Sequence, residues 1–125
     1  MLFRSHKSLR ESLIKSIRKK GITDESVLSA MMAVPRHFFF DKEFDTIAYE
    51  DRAFPIAAKQ TISQPYTVAF QSQLLKVQLH DKILEVGTGS MYQATILAEM
   101  GARVFSIERQ MALYKKTEKF NLRKR

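Results

Sequence analysis

The stretch that most constrains this chain is "DKILEVGTGSMYQATILAEMGARVFSIER", Asp81 to Arg109. Ile83 to Val86 is a short apolar run, the pattern of a strand covered on both faces. Gly87 and Gly89 follow at once, and Ser90 is placed to cap the helix that begins there. Ala94, Ile96, Leu97 and Met100 supply the interior side of that helix, and Gly101 closes it. Val104, Phe105 and Ile107 form a second apolar run. Strand, turn, helix, strand with this spacing predicts a right-handed crossover between two parallel strands.

The turn admits more than one reading. The dinucleotide fingerprint G-x-G-x-x-G needs a third glycine at position 92, where Tyr92 stands. The form G-x-G-x-G needs it at position 91, where Met91 stands. Two glycines still let backbone N–H groups come close to a ligand at a helix N-terminus. Glu108 ends the second strand 21 residues after Gly87, where an acid can accept hydrogen bonds from two ribose hydroxyls. On spacing alone the choice stays open between a cofactor turn and an ordinary tight turn beside a surface glutamate. A P-loop is excluded, because no Lys-Ser or Lys-Thr follows the glycines. A dinucleotide would want the missing glycine beside its pyrophosphate. S-adenosylmethionine has no phosphate, carries a ribose for Glu108 and an amino-acid end for the turn, and fits better.

Upstream, "SHKSLRESLIKSIRKKG" puts Leu9, Leu13, Ile14 and Ile17 on one helical stripe, with Gly21 suited to its stop. Thr23 or Asp24 can cap a second helix bearing Val27, Leu28, Met31 and Met32, and Pro35 ends it. "HFFFDKEFDTIAYEDRAFPI" predicts an irregular segment pinned to the core by aromatics. "QPYTVAFQSQLLKVQL" predicts a helix with Pro65 in its first turn and Val68, Leu74, Leu75 and Leu79 for burial. His6, His37 and His80 stand isolated in sequence, which favours packing or hydrogen bonding over metal ligation. No metal site is expected.

The chain has 125 residues, enough for one domain, and no cysteine, so neither disulfides nor thiolate chemistry enter. No apolar run reaches the ~18 residues of a membrane span, and the basic N-terminus lacks the form of a signal peptide. A cytoplasmic location is the plain expectation. The net charge of +8 sits at the ends: residues 1–20 and residues 109–125 each hold seven Lys/Arg against one acid. Such ends suit solvated helix faces, and without a nucleic-acid motif no nucleic-acid partner is expected.

"AFPIAAKQTISQPYTVAFQSQLL", followed by "ILEVGTGSMYQATILAEMGARVFSIER" and preceded by "VPRHFF", resembles the protein-L-isoaspartate O-methyltransferase family from about Leu9 to Lys119. "QTISQP" is the specific part. The resemblance implies a partial class I S-adenosylmethionine-dependent methyltransferase fold, α/β and Rossmann-like: an N-terminal helical and substrate-loop region over residues 1–80, then a first βαβ unit over 81–125. It implies methyl transfer from S-adenosyl-L-methionine to the free carboxylate of L-isoaspartyl and D-aspartyl residues in damaged proteins, a repair reaction. Ser63 is then the catalytic residue, Gln60 and Thr61 shape the substrate loop, and Gly87, Gly89 and Glu108 hold the cofactor. Isoaspartyl proteins are the implied substrates and a monomer the implied state. Two alternatives remain: a methyltransferase acting on another substrate such as RNA, and a remnant of the fold without activity.

Two departures carry expectations of their own. Met91 replaces the family's glycine, and its bulk is expected to weaken cofactor binding. The family's seven-stranded domain runs well past residue 125, and "KKTEKFNLRKR" drifts into a basic tail. The sequence therefore reads as partial or frameshifted, with low stability and little or no activity expected.

Overall fold

The computed structural model describes residues 5–118. The basic tail expected after the last helix lies outside the described residues. Helix α1 spans His6–Lys19 and α2 spans Glu25–Ala33. Short 3-10 turns at Arg36–Phe39 and Lys42–Phe44 lead to strand β1, Phe54–Pro55, and strand β2, Thr61–Ile62. Helix α3 covers Pro65–Leu75. Strand β3, Lys82–Val86, helix α4, Tyr92–Glu99, and strand β4, Arg103–Ile107, form the expected βαβ unit, and α5 spans Met111–Thr117.

Local chemistry explains most boundaries. Ser5 and Asp24 cap α1 and α2 by accepting from the Ser8 and Ser26 amides. Both α1 and α4 end in the paired bonds that a left-handed glycine allows. Gly21 N donates to Arg18 O and Ile22 N to Ile17 O, while Gly101 N donates to Ala98 O and Ala102 N to Leu97 O. Ser90 does not occupy the N-cap position of α4. Met91 does, in a left-handed conformation, and the Ser90 hydroxyl accepts from Tyr92 N at 3.2 Å.

Helices α1, α2 and α3 pack on one another, and α2 also packs on α4. Leu13, Ile17, Val27, Leu28, Met31, Phe54, Ile62, Val68, Tyr92 and Ile96 are buried in one cluster that joins the helical half to α4. Strands β1 and β2 pair antiparallel, so that Phe54 and Ile62 turn together into this cluster.

Strands β3 and β4 are parallel, in the register Leu84 opposite Phe105 and Val86 opposite Ile107. The expectation that β3 is covered on both faces is corrected here. Leu84, Val86, Phe105 and Ile107 are all more than half exposed, because they share one face of the pair and no described element lies over it. The same correction applies to Leu74, Leu75 and Leu79, expected to be buried and found more than half exposed. Helix α3 stops at Leu75, where Lys76 adopts a left-handed cap, so Leu79 lies beyond it. Leu74 and Leu75 border the same open hollow as Leu84. Contiguous exposed apolar surface promotes association. The 125-residue chain is therefore expected to self-associate with rising concentration. Leu84→Lys combined with Phe105→Glu, a charge pair in register, should shift it to a single monomeric species in sedimentation velocity.

Candidate active site

The β3–α4 turn is built on positive φ. Gly87 and Gly89 have φ of 89° and 57°, and a Cβ added at either would meet nothing within 4 Å. The backbone is thus bare on the side facing two adjoining hollows. One, of about 550 Å³, is bordered by Ser63, Thr61, Glu85, Gly87 and Gly89. The other, of about 420 Å³, is bordered by Gln60, Thr61, Gly87, Gly89 and Glu108. The six residues singled out from sequence therefore converge, although Gln60–Ser63 and Glu108 lie 45 or more positions apart.

Glu108 points at the turn. Its Oε1 accepts from Gly89 N at 2.8 Å and its Oε2 from Gln110 N at 2.9 Å. These backbone N–H groups hold the carboxyl below the usual carboxylate range, Gln110 contributing most and Gly89 next. Each oxygen keeps lone-pair capacity for a further donor. The amides of the turn are less available than the sequence suggested. Gly87 N and Thr88 N both donate to Ile107 O, at 2.7 and 3.2 Å, and Gly89 N is held by Glu108. The glycines thus provide clearance more than free donors.

A second carboxylate was missed in the sequence. Glu85, two positions before Gly87, faces the larger hollow and accepts from Ser106 Oγ at 2.5 Å. Ser106 Oγ lies 2.6 Å from Thr88 Oγ1. Because Ser106 donates to Glu85, Thr88 must donate to Ser106. Burial is the main cause that pushes the Glu85 carboxyl up, opposed by the Ser106 bond and reinforced by Glu108. The signal that could have found Glu85 is its place in the apolar run from Ile83 to Val86: an acid inside an apolar strand needs a reason to be there.

Ser63 is exposed and borders the larger hollow. It is not the cap of α3: Gln64 holds that position, with no side-chain capping bond. The loop before it is strained. Ala58 and Lys59 both have positive φ, 58° and 57°, an unfavourable setting for residues with a Cβ. Ile56 N closes this loop on Gln60 O at 2.8 Å.

Arg36 was not singled out in the sequence, yet it is fully buried. Its Nε donates to Ala48 O at 2.7 Å and its Nη2 to Ser63 O at 3.1 Å. Its guanidinium lies over the rings of Phe40 and Tyr92, 5.4 and 4.7 Å from their centroids. Burial pushes its pKa down, and the Tyr92 oxygen does most to offset this. The Tyr92 hydroxyl is itself pushed up to about 12 by burial, so Tyr92 stays neutral.

The histidines are not all isolated. His6 and His37 stack with centroids 3.8 Å apart, and His37 Nδ1 lies 2.8 Å from Tyr49 Oη. The hydrogen-bonding role expected of His37 is what the structure shows. His6 also lies 3.4 Å from an Asp45 oxygen.

Met91 stands at the position of the family's third glycine. It is buried and borders neither hollow. Its backbone is left-handed, with φ of 75°. Met91→Gly should relieve about 1–2 kcal/mol of left-handed strain and forfeit about 2–5 kcal/mol of buried side chain. The expected result is a modest fall in melting temperature with unchanged affinity for S-adenosylhomocysteine, read by thermal denaturation and calorimetry.

The family model for protein-L-isoaspartate(D-aspartate) O-methyltransferase matches residues 7–125. A protein-L-isoaspartate O-methyltransferase of Christiangramia forsetii is 60% identical over 115 residues, covering 92% of this chain and 54% of the relative. That of Flavobacterium johnsoniae is 53% identical over 122 residues, covering 94% and 57%. The chain thus spans about half the length of the curated relatives it matches. A solved protein-L-isoaspartate O-methyltransferase superposes with a TM-score of 0.72 at 24% identity, over 88% of this chain and 38% of that one. A beta-aspartate methyltransferase from Plasmodium falciparum, in complex with S-adenosyl-L-homocysteine, superposes with a TM-score of 0.71 at 22% identity, over 95% and 57%. The architecture is accordingly the N-terminal helices and first βαβ unit of the Rossmann-like class I methyltransferase fold, and the chain belongs to the protein-L-isoaspartate(D-aspartate) O-methyltransferase family.

Proposed function

We propose that this chain binds S-adenosyl-L-methionine at the glycine turn and contributes to methylation of isoaspartyl carboxylates in damaged proteins. The observation that carries the reading is the Glu108 carboxylate, aimed at Gly89 and bordering a hollow with Gln60 and Thr61. The donor set suits the ligand. Glu108 offers its remaining lone pairs to ribose hydroxyls, and Glu85 supplies an anion for a cationic group in the larger hollow. The bare Cα positions of Gly87 and Gly89 leave room for the ligand between the two acids. When bound, the cofactor supplies a methyl group on a sulfonium, open to in-line attack.

The chain's own work is to position. An isoaspartyl carboxylate, with a pKa near ~4, is already ionised at neutral pH and needs no general base. The loop Gln60–Ser63 would hold it against the hollow, with the Ser63 hydroxyl donating to a carboxylate oxygen. Positioning of this kind converts an encounter into a near-unimolecular step. Residues 1–80 would serve as the helical and substrate-loop part and residues 81–125 as the cofactor part of one domain.

The open apolar face beside the larger hollow argues that water reaches the site freely, which weakens every polar contact in it. Cofactor binding with little or no turnover by the isolated chain is therefore expected. The test is transfer of tritiated methyl from S-adenosylmethionine to an isoaspartyl peptide and to RNA, beside calorimetric titration with S-adenosylhomocysteine. Binding with peptide methylation near background is the expected outcome. Robust peptide methylation would overturn the expectation of weak activity, transfer to RNA alone would overturn the substrate, and absence of binding would overturn the cofactor site.

A further inference from the structure

Arg36 ties together parts of the molecule that are distant in sequence. Its own 3-10 turn follows α2. Ala48 lies 12 residues on and Ser63 lies 27 residues on, and Arg36 donates to the backbone carbonyl of each. Its guanidinium face rests on Tyr92, the first residue of α4 and the third after Gly89. Phe40 covers it at 5.4 Å. No carboxylate touches it among the described residues, and Nη1 makes no hydrogen bond there. A guanidinium buried against two carbonyls, two rings and the Tyr92 oxygen, with no carboxylate in contact, is a costly feature for packing alone, because a methionine of similar length would fill the space without a charge.

We propose that Arg36 is a positioning residue that sets the gap between the Ser63 loop and the glycine turn. The planar fork is what makes this work: Nε and Nη2 reach two carbonyls at once while the face stays on the Tyr92 ring. A lysine has the charge but a single donor point and no flat face. The strained backbone at Ala58 and Lys59 needs such an anchor, since the loop it belongs to is closed by a two-residue strand pair. The role assigned to the gap rests on the cofactor and substrate reading above. The tether itself does not.

The experiment uses the full 125-residue chain with two substitutions, Arg36→Lys, which keeps the charge, and Arg36→Met, which keeps the volume. Amide hydrogen exchange is followed at Ile56, which donates to Gln60 O, at Glu50, which donates to Ile47 O beside Ala48, and at Leu28 in α2 as reference. In both variants Ile56 and Glu50 are expected to exchange at least about tenfold faster, with Leu28 changed less than about threefold. S-adenosylhomocysteine affinity should fall by about tenfold. Equal acceleration at all three amides would mark Arg36 as general core packing, and unchanged Ile56 exchange, or full rescue by Lys, would overturn the tether.

Should neither variant fold, the unsubstituted chain decides. In a denaturant series, Ile56 and Glu50 are expected to open in one shared step below global unfolding, and independent opening would overturn the proposal. Absence of S-adenosylhomocysteine binding in the unsubstituted chain would remove the functional reading alone, because the exchange measurements involve no ligand.

Discussion

Glu108→Ala is expected to abolish measurable S-adenosylhomocysteine binding, a loss of at least about a hundredfold. Two ribose hydroxyls donating to a carboxylate contribute about 1.5–3 kcal/mol each, and about 1.4 kcal/mol is tenfold in affinity. The substitution also frees Gly89 N and Gln110 N, so the turn loses the group that orders it. Glu108→Gln is the milder companion. It keeps one acceptor oxygen and should lose about tenfold, which separates charge and acceptor number from simple side-chain bulk. Circular dichroism checks that both variants remain folded.

The pH behaviour follows from the direction of the Glu108 shift. Its carboxyl is held below the ordinary range in the folded chain by backbone N–H donors. Its contribution to stability is therefore complete above the unfolded carboxylate pKa of about 4 and is lost as pH falls through the folded value. Glu108 stays charged from pH 8 to about pH 5 and so adds no pH dependence of its own to ligand affinity over that range. Between pH 5 and more acid conditions the unsubstituted chain should lose more stability than Glu108→Ala. Glu85 acts in the opposite sense. Burial raises its folded pKa, so its cost to stability grows as pH rises through the unfolded carboxylate range.

The largest effect on stability is expected from Ile96→Ala. Ile96 is fully buried and belongs to the cluster that joins α4 to α1, α2 and α3. Removing its side chain should cost about 2–5 kcal/mol, the transfer loss plus the cavity left behind. Against a typical total of about 5–15 kcal/mol, that takes much of the margin. Urea denaturation should show a lowered midpoint with an unchanged slope. A substitution of the same chemistry at Leu84, which is 65% exposed, should change the midpoint little.

The βαβ unit was legible because several independent signals agreed. Two glycines, a 3.6-residue apolar stripe with Ala94, Ile96 and Leu97, and a closing Gly101 all point to one arrangement. Asp24 and Gly21 were legible for the same reason, as each does a job that few residue types can do. Leu74, Leu75, Leu84 and Val86 misled because periodicity reports which face is apolar and says nothing about whether a partner covers it. Arg36 was invisible. Between Pro35 and His37 it looks like any surface cation, and its burial depends on carbonyls contributed by Ala48 and Ser63. The stacking of His6 on His37 is likewise a product of the tertiary fold. Met91 was legible as a departure from glycine, but its burial away from both hollows was not, since that depends on the tertiary packing around α4.

The proposed function requires one spatial arrangement: a sugar-bearing sulfonium metabolite lies between the glycine turn and the acid at the end of β4. A two-dimensional amide spectrum of the chain, titrated with S-adenosylhomocysteine, tests this directly. The Gly89 and Gln110 amides, both now on the Glu108 carboxylate, are predicted to shift together with Gly87 and Thr88, while Leu13 and Ile17 in α1 stay in place. A titration that leaves Gly89 and Gln110 unmoved, or that moves α1 instead, would contradict it.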